Sequence, residues 1–311
     1  LMHFLGDINL KLEAKIQKYL VQKQNKDGGW PLFFEGDSDI SASVKAYYAL
    51  KLSGMKVEKA IMRKAKKFIL SNGGAENVNV FTRISLALFG QISWESIPYM
   101  PIEIMKFPKW FPFNIYKISY WSRTVLVPLL IIMNKKPLAN NPNGISVNEL
   151  FKNQERKINV KGVDGSKFTS NLFLIFDKLA RYFFPKFFSN NFKNQCIDSA
   201  YEWTTERLNG KDGLGGIFPA MVNSLIAMTL DDKKKYTKHI PLCRQSIDNL
   251  IVEKKDYAYC QPCLSPIWDT GWMGHVLLEQ NKNVDDLVTW FLNKEIKSAG
   301  DWNVHKENLA P

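Results

Sequence analysis

In one segment after another of this sequence, apolar residues return at every third or fourth position, and that period restricts the fold more than any other property. In "LEAKIQKYLVQ" Leu12, Ile16, Tyr19 and Leu20 share one face with lysines opposite, the pattern of an amphipathic helix. The stretch "ISASVKAYYALKLSG" repeats it, with Ile40, Val44, Tyr47 and Leu50 as the stripe and Gly54 as a stop. Further segments with this period are "EKAIMRKAKKFILSNGG", "VFTRISLALFG", "SYWSRTVLVPLLIIM", "NQCIDSAYEWTTERL", "PAMVNSLIAMTL", "TGWMGHVLLEQN" and "VDDLVTWFLNKEI". No convincing alternating runs separate them, so the expected fold class is all-α, built of paired helices.

A chain of 311 residues can bury a substantial core and divide into two modest domains. Its 45% apolar content argues against general disorder. The net charge of +12 invites a partner carrying negative charge, either nucleic acid or an anionic membrane face. The lysines are spread over many helices and not concentrated in one recognition element, which argues against nucleic acid. Cys196, Cys243, Cys260 and Cys263 lack the spacing of a small disulfide scaffold and read as reduced thiols. The longest apolar run, Val125 to Met133, is too short to span a bilayer and is interrupted by Pro128. The amino terminus lacks a secretion-signal pattern.

Most site hypotheses fail on spacing. Cys260 and Cys263 form a Cys-x-x-Cys pair, but the four histidines are scattered singly, so no metal site is expected. His275 falls on an apolar helix face and reads as a bonded core histidine. "GKDGLGG" lacks the strand that a phosphate-cradling loop follows. The acids of "NVDD" (Asn283 to Asp286) read as caps of the next helix start, and Asp39 in "DSD" reads as an N-cap.

One stretch resists such bland readings. In "YLVQKQNKDGGWPLF" a helix end is followed by Gln24, Gly28 and Trp30. A glutamine there can bond to orphan backbone groups, a glycine permits a tight exit, and the indole covers the next turn. Worn copies occur from Trp203 to Gly216 and from Trp290 to Trp302, with Leu208 and Glu295 in place of the glutamine. They read as internal repeats.

This motif resembles the Gln-Trp repeat of triterpene cyclases, and residues 27–54 are similar to a region of bacterial squalene-hopene cyclases. "FTRISLALFG", "PKWFPFNIYKISYWSRTVLVPLL", "NGKDGLGGIFPAMVNSLIAM", "CQPCLSPIWDTGW" and "GDWNVHKENLAP" continue the likeness along nearly the whole chain. That family has roughly twice this length and folds as two α/α barrels around an apolar cavity. The resemblance implies an internal piece with an incomplete barrel: residues 1–255 as the N-terminal-half domain lacking its first residues, and 256–311 as the truncated start of the catalytic barrel. Its general acid, an Asp-x-Asp-Asp motif, is expected beyond Pro311, so the chain alone is expected to be inactive.

The implied reaction protonates squalene and closes rings through carbocations, without cofactor or metal. That requires a dry, tuned acid and aromatic faces that stabilise cations without attacking them. Trp121, Ile217, Phe218, Pro219 and Trp268 match cavity-lining positions, with Phe218 standing where some relatives have glutamine. Asp269 matches an aspartate of the network supporting the acid. An oxidosqualene-type cyclase, or a non-enzymatic lipid- or protein-binding α/α barrel, remains the alternative. Phe168 to Phe192 combines many phenylalanines with Lys178, Arg181 and Lys186 and a single acid, Asp177. With the resemblance, this implies peripheral, monotopic attachment to one leaflet on the cytoplasmic side. A homodimer is left open for the longer protein.

Overall fold

The computed structural model describes residues 1–111, 114–141, 143–153, 167–297 and 300. In chain order its helices are α1 (Met2–Leu5), α2 (Leu10–Gln22), α3 (Ile40–Leu52), α4 (Ala60–Ser71), α5 (Val80–Leu88) and α6 (Tyr120–Lys135). They continue with α7 (Lys167–Phe187), α8 (Asn190–Glu206), α9 (Phe218–Thr229), α10 (Ile240–Asp248), α11 (Pro266–Glu279) and α12 (Asp285–Leu292). The strands among the described residues form two short antiparallel hairpins, β1 (Trp30–Pro31) with β2 (Ser38–Asp39) and β3 (Ile251–Glu253) with β4 (Ala258–Cys260). The all-α expectation is met. Pro128 lies inside α6 without ending it.

The chain forms two compact units, each assembled from three separate stretches. The first takes Leu1–Ile102, Leu130–Gln195 and Ile251–Cys260. Its centre is α3, where Val44, Tyr47 and Leu50 are buried together with Met62, Ala65 and Ile69 of α4. The Asp39 carboxylate accepts the Ala42 amide at 2.7 Å and starts α3 as a side-chain cap. At the other end Gly54 adopts φ 83°, the left-handed exit expected of a helix stop. The β3–β4 hairpin lies on α2, where Tyr19 stacks on Tyr257 and Tyr259 with ring centres 5.9 and 5.1 Å away.

The second unit takes Glu103–Leu129, Cys196–Leu250 and Gln261–Pro311. Met221, Leu225, Ile226 and Met228 of α9 form its core with Cys243 and Ile247 of α10 and Ala200 and Tyr201 of α8. Tyr201 stacks on Tyr236 at 4.7 Å and donates its hydroxyl to the Ala227 carbonyl. Burial pushes the Cys243 thiol up to about 11, so this thiol is core material and not a nucleophile.

Two local readings need correction. His275 is exposed, not in a core: α11 buries Gly274 against Leu287 of α12, while Trp272, Met273 and Val276 stay open to solvent. The start of α12 is bonded by Asn283, whose side-chain oxygen accepts the Asp285 amide at 2.7 Å. Asp285 and Asp286 occupy the first turn, where they favour the helix dipole without capping it.

Candidate functional site

The Gln24–Trp30 motif closes the first unit's α2 onto α4. The Gln24 amide donates to the Gly28 carbonyl and to the Ile61 carbonyl, both at 2.9 Å. The Trp30 indole N–H donates 2.8 Å back to Leu20 O, near the end of α2, while the ring itself is buried. Gly28 has φ 97°, and a Cβ there would sit 2.5 Å from the Lys64 carbonyl oxygen. Each residue therefore has the role its type allows: the glutamine bridges two backbones, the glycine lets the loop touch a helix, and the indole adds a second donor to a carbonyl in the last turn of α2. Asn25 and Asp27 add bonds that the motif does not announce, to Gly36 O and Ser38 Oγ and from Gly29 N and Ser38 Oγ.

In the second unit the loop after α8 shares one backbone closure with this motif. Asn25 N–H donates to Gly29 O at 2.9 Å, and Asn209 N–H donates to Gly213 O at 3.0 Å. The following residues, Trp30 and Leu214, are both buried. With Leu208 replacing glutamine, no side-chain bridge corresponds to that of Gln24. The stretch from Trp290 to Trp302 lies partly outside the described residues.

Trp121, Ile217, Phe218, Pro219, Trp268 and Asp269 all fall in the second unit, where the Asn223 side chain of α9 donates to the Val125 carbonyl of α6. Gly215 approaches α6 so closely that a Cβ would meet Thr124 Oγ1 at 2.9 Å, and the Thr124 hydroxyl in turn donates to the Trp121 carbonyl. Ile217 pairs with Cys263 as an isolated antiparallel bridge. Phe218 N–H donates to Pro262 O, and Leu264 N–H donates to Gly216 O. Pro219 opens α9, where its missing N–H costs nothing. Ser265 and Asp269 then join at the start of α11, the serine hydroxyl donating to the carboxylate at 2.9 Å. Trp121 and Trp268 are 56% and 71% exposed, so neither ring is enclosed by the described residues. The described residues contain no group of three His, Cys, Asp or Glu side chains placed to hold a metal.

The phenylalanine-rich segment forms α7 of the first unit. Phe168, Leu172, Ile175, Leu179, Tyr182, Phe183 and Phe187 are exposed along it, while Asp177 and Ala180 are buried. Phe184 packs edge-on against Tyr99, Phe188 belongs to the turn that follows, and Phe192 sits in α8. The apolar face is thus narrower than the sequence suggests. Asp177 accepts the Tyr99 amide and the Arg181 guanidinium, and Arg181 also donates to the Ile97 carbonyl. This clamp holds one polar stripe of α7 against the unit and leaves the rings outward. Among the described residues no helix is long and apolar enough to cross a membrane.

The mostly helical architecture agrees with the α/α fold of terpene cyclases. The family model for the squalene-hopene cyclase N-terminal domain matches residues 1–256. A squalene-hopene cyclase of Bradyrhizobium diazoefficiens is 42% identical over 322 residues, covering 100% of this chain and 48% of that protein. Those of Zymomonas mobilis and Alicyclobacillus acidocaldarius are 41% and 34% identical, each covering 100% of the chain and 49% of the relative. The chain belongs to the squalene-hopene cyclase family. It spans about half the length of the curated relatives it matches.

Proposed function

We propose that this chain supplies part of the wall of a cyclase acting on squalene, a reaction begun by protonating a terminal alkene and carried through carbocations to a pentacyclic hopanoid. The family match over the whole chain carries this reading, with Trp121 and Trp268 in one unit where Asn223 of α9 bonds to α6 and the start of α9 bonds to the loop before α11. An indole face presents negative charge density to a cation and offers no nucleophile, so it prolongs the intermediate while water is kept away. Ile217, Phe218 and Pro219 supply apolar wall, and Asp269, oriented by Ser265, belongs to the polar network behind the acid. The acid itself comes from outside these residues, so the isolated chain should not cyclise squalene.

The test is a chimera in which this sequence replaces the corresponding half of the Bradyrhizobium relative, incubated with squalene and analysed by mass spectrometry. Pentacyclic product from the chimera, none from the isolated chain, and prematurely quenched products from Trp121→Ala and Trp268→Ala are expected. Product from the isolated chain, or unchanged products and rates in both variants, would refute the assignment.

We propose further that α7 seats the protein on one leaflet, on the cytoplasmic side, where a bilayer-soluble substrate enters. Its exposed rings would enter the acyl boundary while Lys178 and Lys186 meet headgroups, Lys186 lying 3.5 Å over the Tyr182 ring. The variant Phe168→Ser, Leu172→Ser, Phe183→Ser, Phe187→Ser changes exposed side chains only. It should fold yet fail to float with anionic liposomes. Flotation equal to wild type would remove α7 as the anchor.

A further inference from the structure

The stretch from Lys106 to Phe111, together with Lys117, combines three features that neither the Trp121 and Trp268 segments nor α7 uses. Trp110 is 79% exposed, among the most open large side chains of the protein. Its ring does not stand alone: Trp110 meets Phe111 edge-on at 6.0 Å, and Phe111 meets Phe107 at 4.9 Å, so these rings form one apolar knob with the half-buried phenylalanines beneath the exposed indole. Lys106, Lys109 and Lys117 are exposed, with the Lys109 ammonium 5.4 Å over the Tyr116 ring. No aspartate or glutamate occurs between Glu103 and Glu149, and Glu103 is itself buried. The knob therefore carries positive charge that no neighbouring carboxylate in the sequence offsets.

We propose that this knob is a lipid-contact element, seating Trp110 at the boundary between anionic headgroups and acyl chains with its three lysines paired to phosphates. Indole suits that position because it is apolar over most of its area and carries one polar N–H, and it concentrates at bilayer interfaces for that reason. Lysines close to an anionic surface each add attraction that salt screens. A single-stranded nucleic acid also binds cations and rings. The rings here pack on one another instead of standing apart as platforms for successive bases, and the exposed cations are lysines without a forked guanidinium. Both facts favour lipid. The proposal extends the membrane reading of α7 to a second element, and it rests on that reading only for the expectation that the protein meets a bilayer at all.

The experiment uses the whole chain and vesicles of phosphatidylglycerol and phosphatidylcholine, with part of the lipid brominated along its acyl chains. Bromine quenches only indoles that reach the acyl boundary, so wild type minus Trp110→Phe reports Trp110 itself, whatever α7 does. Wild type should show a quenched, blue-shifted component that Trp110→Phe lacks. The variant Lys106→Gln, Lys109→Gln, Lys117→Gln should bind these vesicles on the order of a hundredfold more weakly at low salt, at roughly fivefold per lysine, and about as well as wild type at high salt. The α7 serine variant is measured alongside. If it binds as wild type does while the Trp110 signal persists, the α7 assignment fails and this one stands. Vesicle binding with identical quenching of wild type and Trp110→Phe overturns the proposal. So does binding of an oligothymidylate in preference to vesicles, or no vesicle binding at all.

Discussion

Replacing Gly28 by alanine should destabilise the protein well beyond the ordinary cost of a glycine substitution, and Gly54 provides an internal control. Both residues have positive φ, 97° and 83°. A side chain at either therefore meets the same kind of backbone strain, about 1–2 kcal/mol, partly offset by about 0.4–1 kcal/mol from stiffening the unfolded chain. Around Gly54 nothing lies within 4 Å of an added Cβ. At Gly28 the Cβ would meet the Lys64 carbonyl oxygen at 2.5 Å and its carbonyl carbon at 2.6 Å. Those atoms belong to the backbone of α4 and cannot swing aside, so the loop must move, at about 1–3 kcal/mol for overpacking. Moving the loop also strains the Gln24 bonds to Gly28 and Ile61 and the Trp30 bond to Leu20, each worth about 1 kcal/mol net. Gly54→Ala should cost about 1 kcal/mol, and Gly28→Ala about 3–5 kcal/mol on the same sums. Urea unfolding followed by tryptophan fluorescence, compared at equal m, measures both. If Gly28→Ala lost no more stability than Gly54→Ala, the claim that the glycine is there to let loop and helix touch would be wrong.

The same closure predicts an order among its other members: Gln24→Ala should cost about 2–3 kcal/mol, because two carbonyls lose a donor, and Trp30→Phe less, because the ring body remains. Equal losses in the same urea assay would contradict that order. Acid sensitivity should depend on Glu149. Burial raises its pKa, but hydrogen bonds from Lys51 and Tyr47 and the Lys51 charge outweigh this and hold it below its usual value. A depressed folded-state pKa gives stability that is complete above the unfolded value, about 4.3, and is lost as pH falls through the folded one. The stability gap between wild type and Glu149→Gln should therefore narrow from pH 7 to pH 3, and a gap of unchanged size would show that the ionised carboxylate contributes nothing.

Local chemistry was readable where the partners lie close in sequence. Asp39 caps the helix that begins at the next residue, Gly54 ends it, and the Gln24–Gly28 bond closes within one loop. The second acceptor of Gln24, Ile61 O, and the helix touching Gly28 could not be read, because both come from a later element. Periodicity misjudged His275 for a related reason. Helix α11 carries apolar residues on most of its surface, so its pattern names no inward face, and the approach of Gly271 to Phe291 and of Gly274 to Leu287 shows which side is covered.

For α7, composition identified an apolar, basic segment but does not separate Phe184, which packs on Tyr99, from Phe187, which is 80% exposed. What orients the helix is Asp177, the lone acid in a basic segment and thus the residue least suited to an anionic bilayer. It turns inward to the Tyr99 amide and to Arg181, four residues along on the same face. Burying a carboxylate is costly unless it is paired and bonded, and this one has a charged partner as well as an amide. The cost is met by contacts that fix the rotation of α7 about its axis. The exposed rings are therefore set by one buried polar group on the opposite side, and the visible sequence signal for that device was a single aspartate four residues before an arginine.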